Sequence, residues 1–369
     1  MRFYPSRFAG APRGHLPDVR IVITGASGNV GTALLRRLTG HEIVGICRRP
    51  PSAGPPYAGV RWVALDLADA GPDVLEPVLA GADAVVHLAW GFQPSHDIGY
   101  LGRLDVDGTR SVVRAAQAAG VPHLVHMSSL GAYSAGPKEP VDESWPTEGI
   151  ESSPYSRHKA AAERILDEHE RSHPGGTAVA RMRPGLMVQR GIGSALLRYA
   201  VPPYVPAALL RHVPLLPLDR GLVVPLMHTA DAADAVARVL QQRATGPFNL
   251  AADPPITRDV IAGVLGARAV HLPARALRGA AAAAWRLRLQ PLDPGWLDLA
   301  FAVPLLDSTR ARRELGWEPR VRADEALREV LAGMADRAAT ASPALRRRSA
   351  RAELAAAARG HPIDTRRLP

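Results

Sequence analysis

Val19-Arg20-Ile21-Val22-Ile23-Thr24-Gly25-Ala26-Ser27-Gly28-Asn29-Val30-Gly31 is a short β-branched run that breaks into three evenly spaced glycines. The amphipathic segment from Thr32 to Leu38 follows and reads as a helix. A glycine-spaced turn between a strand and a helix is the setting a phosphate-binding loop requires. Gly25 permits the tight turn, Gly28 lets the backbone approach a pyrophosphate, and Gly31 allows the helix to pack closely on the strand. The helix N-terminus then offers free N–H groups and its positive dipole end to the phosphates. Gly25, Ser27, Gly28, Asn29, Val30 and Gly31 are the candidate cofactor-binding residues of this turn.

Working outward, His41 to Ile46 reads as a second strand ending at Cys47, Val60 to Leu65 as a third and Ala84 to Ala89 as a fourth. His123 to Met127 and Ala178 to Met182 give a fifth and a sixth, with helical patterns at Asp107 to Ala119 and Pro154 to His169. Strands alternating with helices imply right-handed crossovers and a parallel sheet covered on both faces. The expected fold class is α/β, a doubly wound, Rossmann-like sheet with a smaller, discontinuous C-terminal substrate lobe. We expect residues 19–184 to form the dinucleotide-binding domain, with 223–252 returning to it. Residues 185–222 and 253–335 would form the lobe, residues 1–18 a flexible N-terminal segment, and residues 336–369 a basic, disordered tail.

Composition narrows the function classes. A chain of 369 residues with 47% hydrophobic content fits a soluble globular protein with a sizeable core. The single cysteine, Cys47, excludes an internal disulfide framework and suits the reducing cytoplasm. No apolar run is long enough for a membrane span, and no secretory signal is apparent. The net charge of +10 is carried mainly by the two ends, +3 over residues 1–20 and +6 over residues 337–369. The body between them is nearly neutral, which argues against a specific nucleic-acid surface. No His/Cys/Asp cluster has metal-ligand spacing, so no metal site is expected.

The choice of dinucleotide depends on the end of the second strand. NAD sites place an acid there for the ribose 2′-OH, whereas arginine accommodates the 2′-phosphate of NADP. Cys47 stands where the acid would be and Arg48 and Arg49 follow, so NADP(H) is favoured over NAD(H). In a chain where 43 of 45 basic residues are arginine, these two also read as ordinary solvated loop residues. Asp66 is placed either to accept from the adenine amino group or to cap the following turn.

Tyr155-Ser156-Arg157-His158-Lys159 contains one of only two lysines in the chain. A lysine kept where arginine is the rule suggests a need for a compact ammonium. One helical turn separates it from Tyr155, so the two share a helix face.

Thr24-Gly25-x-x-Gly28-x-x-Gly31, Asp66-Leu67, His87-Leu88-Ala89, Ser128-Ser129, Tyr155-x-x-x-Lys159 and Arg183-Pro184-Gly185 occur in this order. His228-Thr229-Ala230-Asp231, Phe248-Asn249-Leu250-Ala251 and Glu314-Leu315-Gly316-Trp317-Glu318-Pro319 follow. With these motifs the chain resembles the extended short-chain dehydrogenase/reductase superfamily, in its NAD-dependent epimerase/dehydratase branch, over roughly residues 19–330. The resemblance implies that Tyr155 is the acid/base and that Ser129 hydrogen-bonds the substrate oxygen. Lys159 would hold the nicotinamide ribose and lower the phenol's pKa, while Leu67, Leu88 and Ala89 line the cofactor site. By the same analogy, the helices after the fourth and fifth strands are candidates for a homodimer interface. Ser128 reads as structural, Tyr133 as lining either site or core, and His87 as positioning the backbone near the cofactor.

Three departures qualify the resemblance. Asp105 replaces the usual asparagine and cannot donate as an amide does. Trp90 replaces a small residue and is expected near the pocket mouth. Leu130 and Gly131 stand where dehydratases carry Asp-Glu, which disfavours water elimination. Leu196, Leu197, Tyr199, Val201, Val205, Leu209 and Leu210 suggest an apolar substrate pocket, with Arg190, Arg198, Arg211 and Arg220 available as anion clamps. The favoured function is NAD(P)-dependent hydride transfer to or from a secondary alcohol or carbonyl carbon of a small-molecule substrate. The alternatives are a nucleotide-sugar 4-epimerase with tightly held NAD and a non-catalytic NAD(P)-binding sensor or scaffold.

Overall fold

Residues 19–92, 95–201, 205–289 and 292–349 are described by a computed structural model of the chain. The expected flexible segment 1–18 and the last part of the tail, 350–369, lie outside the described residues. The chain runs β1 (Arg20–Thr24), α1 (Asn29–Arg37), β2 (Glu42–Cys47), β3 (Arg61–Ala64), α2 (Pro72–Leu79) and β4 (Ala84–His87). After α3 (Ile98–Gly102) the helix widens into a π-turn, Arg103–Asp107, and continues as α4 (Gly108–Ala118) into β5 (His123–Met127). A short β6 (Pro140–Val141) precedes α5 (Pro154–Ser172) and β7 (Ala178–Pro184).

The central sheet has seven strands in the order β11-β7-β5-β4-β1-β2-β3, where β11 is Gly246–Leu250. Its strand pairs are all parallel. Alternation along β1 explains how both faces are buried: Ile21 and Ile23 face α1, while Val22 faces the layer of α2 and α4. Strand order reverses at β1, so a crevice opens beyond the C-terminal ends of β1 and β4, where α/β sheets bind ligands.

Between β7 and β11 the chain forms β8 (Leu186–Val188), α6 (Gly193–Ala200), β9 (Leu215–Leu218), β10 (Val223–His228) and α7 (Thr229–Gln242). Strand β12 (Ala252–Thr257), α8 (Arg258–Leu265), β13 (Arg268–His271), α9 (Ala274–Arg286) and α10 (Gly295–Ala302) follow. The chain then adds β14 (Leu305–Leu306), α11 (Thr309–Leu315) and α12 (Ala323–Ala335). Within 223–252, where the chain is expected to return to the dinucleotide-binding domain, β11 joins the seven-stranded sheet. Strand β10 instead forms a three-stranded sheet with β8 and β12, parallel to the first and antiparallel to the second. Both strands read as short, partly apolar runs, and the partner each meets in space separates them.

Two of the late sequence motifs form one packed unit. Trp317 is fully buried and its indole N–H donates to the Asp231 carbonyl, while the Asp231 carboxylate accepts from the backbone N–H groups of Arg320 and Val321. They tie α11 and the approach to α12 onto the start of α7.

The tail does not begin where the charge pattern places it. Residues 337–349 pack back against the body: Leu345 is buried, and the Ser342 hydroxyl donates to the Ser27 carbonyl at 2.6 Å. Arginine composition marked this stretch as solvated, whereas its serine and leucine contacts hold it on the phosphate loop.

Candidate active site

The turn between β1 and α1 has the geometry of a phosphate cradle. Gly25 has a φ of +68°, and a Cβ there would stand 2.7 Å from the Ala89 nitrogen. A Cβ on Gly31 would lie 2.4 Å from the Ala26 carbonyl oxygen, so only glycine lets α1 approach β1 this closely. No side chain caps the N-terminus of α1, which leaves its first N–H groups available to an anion. These observations fit a dinucleotide pyrophosphate. The Asn29 side chain, however, is turned to the lobe: it donates to the Met187 carbonyl, and Gln189 donates to its oxygen at 2.8 Å. Asn29 is therefore placed to serve a cofactor through its backbone, and Gln189 is a supporting residue that sequence reading missed.

Cys47, Arg48, Arg49, Asp66, Leu67 and Ala89 wall a cleft of about 150 Å³ beside this turn. Asp66 accepts from the backbone N–H of Ala68, as a turn cap, and from the Tyr100 hydroxyl at 3.0 Å. Arg48 donates to the same hydroxyl at 2.9 Å. Tyr100 thus links the acid to the guanidinium, and burial pushes its phenol pKa upward.

The cleft continues into a cavity of about 430 Å³ that contains Ser129, Tyr155 and Lys159 in its wall. Ser129 caps a single 3₁₀ turn, accepting from Gly131 N at 3.0 Å, and also hydrogen-bonds the Tyr155 phenol. Tyr155 is enclosed by aromatic rings, with Trp296 at 4.8 Å, Phe92 at 5.8 Å and Trp90 at 6.3 Å between centroids. Burial pushes its phenol up, the Asp105 carboxylate pushes the same way, and the Ser129 hydrogen bond opposes them.

Lys159 lies beside this pair, with its ammonium turned to other partners. The ammonium donates to the Met127 carbonyl at 2.8 Å and lies 3.3 Å above the centroid of Trp90, but 5.9 Å from that of Tyr155. A cation on an indole face is stabilised by the ring quadrupole. Burial lowers the ammonium's own pKa to about 7, with Asp105 and Glu163 pulling it back upward. Trp90 lines both the cleft and this cavity.

Asp105 is almost completely buried in the π-turn before α4. Its carboxylate accepts from Gly91 N at 2.6 Å and pairs with His158 Nδ1 at 3.0 Å. His158 lies inside Tyr155-x-x-x-Lys159, the local sequence signal that points to it. His87 is held between the Thr24 and Thr109 hydroxyls and kept neutral by burial, which lowers its pKa to about 3. Ser128 donates to Glu163 at 2.6 Å and is structural. Tyr133 is fully buried, donates to Asn249 and accepts from Arg183, which assigns it to the core.

The lobe meets the cavity differently from the sequence expectation. Of its seven apolar candidates, Leu196 and Tyr199 reach the cavity wall, while Leu197 buries itself beside Ala207 and Met334. Leu209 is exposed. The cavity wall also includes Trp296, Leu299 and Val303, from α10 and its end. None of the four candidate anion clamps lines the cavity. Arg190 and Arg211 both pair with Asp336, Arg198 donates to the backbone carbonyls of Ala344 and Arg346, and Arg220 is exposed.

Against known proteins, the sequence pattern of the NAD dependent epimerase/dehydratase family matches residues 21–251. The chain belongs to this family. Uncharacterized proteins of Mycobacterium tuberculosis and Mycobacterium bovis are 29% identical to this epimerase/dehydratase-family chain over 315 residues, 84% of it. The chain spans 29% of the length of those relatives. A 2-alkyl-3-oxoalkanoate reductase of Stenotrophomonas maltophilia is 30% identical over 187 residues, covering 46% of this chain and 51% of that protein. Among solved structures, the Thermus thermophilus UDP-glucose 4-epimerase in complex with NAD superposes with a TM-score of 0.63 at 21% identity, covering 85% of this chain and 98% of that one. The Bordetella bronchiseptica enzyme WbmG in complex with NAD and UDP gives 0.64 at 21%, covering 88% and 97%. Among the described residues no helix is long and apolar enough to cross a membrane, and no group of three or more His, Cys, Asp or Glu could hold a metal ion.

Proposed function

We propose that this chain is an NAD(P)-dependent oxidoreductase of the epimerase/dehydratase type, acting on a carbonyl or secondary alcohol carried by an apolar small molecule. The observation that carries the reading is the cavity beside Tyr155 and Ser129, whose substrate side is built from Leu130, Leu186, Leu196, Trp296, Leu299 and Val303. A relative named 2-alkyl-3-oxoalkanoate reductase supports the same substrate character.

When bound, the nicotinamide supplies or accepts the hydride. Tyr155 gives its phenolic proton to the substrate oxygen in reduction and takes it back in oxidation, while Ser129 orients that oxygen by a hydrogen bond. The raised phenol pKa keeps Tyr155 in its proton-bearing form, the form reduction needs. Lys159 is the residue for the nicotinamide ribose, and its positive charge favours phenolate in oxidation. Gly25, Ser27, Gly28 and Gly31, with the backbone of Asn29 and Val30, would hold the pyrophosphate. Leu67, Leu88 and Ala89 would line the site.

We infer NADP(H) over NAD(H), because the end of β2 carries Cys47, Arg48 and Arg49 in place of an acid. The fold neighbours with UDP and NAD favour a second reading, a nucleotide-sugar 4-epimerase with retained NAD. The engagement of Arg190, Arg198 and Arg211 elsewhere counts against it. The test is direct: purified protein is freed of unbound nucleotide, analysed for retained cofactor, and assayed with NADPH or NADH against a carbonyl panel. Reversible binding and turnover on apolar carbonyls, lost in Tyr155→Phe, supports the first reading. Stoichiometric NAD surviving gel filtration with UDP-sugar turnover would replace it by the second.

A further inference from the structure

We propose that residues 338–348 form a strap over the cofactor cleft, and that Arg346 on this strap joins Arg48 and Arg49 in a three-arginine cradle for the 2′-phosphate of NADP(H). The proposal rests on the NADP(H) preference inferred above and extends it to a segment far from β2 in sequence.

The strap is anchored at several points. Ala338 accepts from Ser194 N at 2.8 Å, and the Thr340 hydroxyl meets that of Tyr57 at 3.0 Å. Ser342 is buried and bonds the Ser27 carbonyl of the phosphate turn. Arg198 reaches from α6 to the carbonyls of Ala344 and Arg346. Leu345 inserts its side chain into the core and forms part of the wall of the catalytic cavity. These contacts place Pro343 and Ala344 in the same cleft wall as Gly28, Cys47, Arg48 and Arg49.

Arg346 leaves this wall exposed, with its guanidinium donating to the Pro343 carbonyl at 3.0 Å. Arg49 is also exposed, and among the described residues neither guanidinium has a carboxylate partner. Burial and the charges of Arg346 and Arg48 lower the Arg49 pKa, as expected of cations sharing one rim. The acid in this cleft, Asp66, is taken up by Tyr100 and the turn it caps. A cleft lined by Arg48 and Arg49, with the Arg346 guanidinium on the carbonyl of its wall residue Pro343 and Asp66 engaged by Tyr100, is suited to a dianionic phosphate, which arginine binds through paired, charge-assisted hydrogen bonds.

The experiment measures calorimetric affinities of the full chain for NADPH, NADH and adenosine 2′,5′-bisphosphate at one fixed ionic strength. Arg346→Gln is expected to weaken NADPH and the bisphosphate about tenfold while changing NADH less than about twofold. Arg347→Gln, a neighbouring exposed change on the same strap, should leave all three affinities unaltered. If Arg346→Gln retains the wild-type NADPH/NADH ratio while Arg48→Gln/Arg49→Gln abolishes it, the strap's role is overturned and the NADP(H) reading stands. If the wild-type chain binds NADH as tightly as NADPH and ignores the bisphosphate, the NADP(H) reading itself fails. An equal loss for NADPH and NADH in Arg346→Gln would make the strap merely structural and also overturn the proposal.

Discussion

The chain's two lysines use the same property for different ends. Lys138 sends its ammonium to the carbonyls of Ala300 and Val303, both at 2.7 Å, and so closes the C-terminus of α10. Lys159 is buried against Met127 and Trp90 in the wall of the larger cavity. Scarcity alone therefore marks a need for a compact cation, and the tyrosine one turn earlier is the feature that points Lys159 toward the proposed chemistry. Because burial lowers the Lys159 pKa to about 7 in the folded protein and an exposed lysine titrates at 10.5, the unfolded state binds more protons between those values. Stability of the wild type relative to Lys159→Met should accordingly rise with pH across that window. Urea midpoints of the two proteins from pH 6 to pH 9 check this, and parallel curves would refute it. Tyr155→Phe removes the proposed proton donor and should lower turnover by about a hundredfold or more, with cofactor affinity within about twofold. Asp105→Asn removes the carboxylate that raises the phenol's pKa, while the amide oxygen can still accept from Gly91. The phenol's apparent pKa in the kcat/KM profile should then move down; an unmoved profile would remove Asp105 from the site's electrostatics.

At the scale of elements, the β1 turn and α5 were the most legible parts of the chain. Gly25, Gly28 and Gly31 are spaced by the covalent geometry of the turn itself, and Tyr155 and Lys159 by one helical repeat, so both readings needed only local distance. Gly31→Ala is expected to force α1 off β1, because the new Cβ would meet backbone atoms that cannot turn aside. Its thermal midpoint should fall and dinucleotide binding should be lost; a variant with unchanged binding would mean that the helix can move freely. The lobe was read less well. Leu197 and Leu209 carry the same apolar signal as Leu196, yet they are respectively buried against α12 and exposed, because facing depends on how α6 and the following turns sit on α12. Strands β10 and β11 join different sheets for the same reason, since a short apolar run specifies a strand but not its neighbour.

For the whole molecule, one channel joins the phosphate turn, the Arg48–Arg49 rim and the apolar cavity, with the 338–348 strap contributing to its wall. This arrangement predicts that substrate preference follows apolar burial. Along a series of ketones of increasing alkyl length, kcat/KM should rise about threefold to fourfold per methylene until the cavity is filled. Steady-state kinetics on such a series check it; a flat series, with turnover of UDP-sugars instead, would favour the epimerase reading.

The sequence by itself determined the alternating α/β order, the phosphate turn, the Tyr155–Lys159 helix face and the absence of an acid after β2. Each of these is written in residues close together in the chain, where backbone geometry and helical or strand period set the spacing. Only the tertiary structure decided that Asp105 meets His158, that Trp90 covers Lys159, that Arg190 and Arg211 pair with Asp336, and that Ser342 returns to Ser27. Those contacts join residues distant in sequence, and they form where packing of the whole chain brings complementary charge, hydrogen-bond partners and apolar surface together.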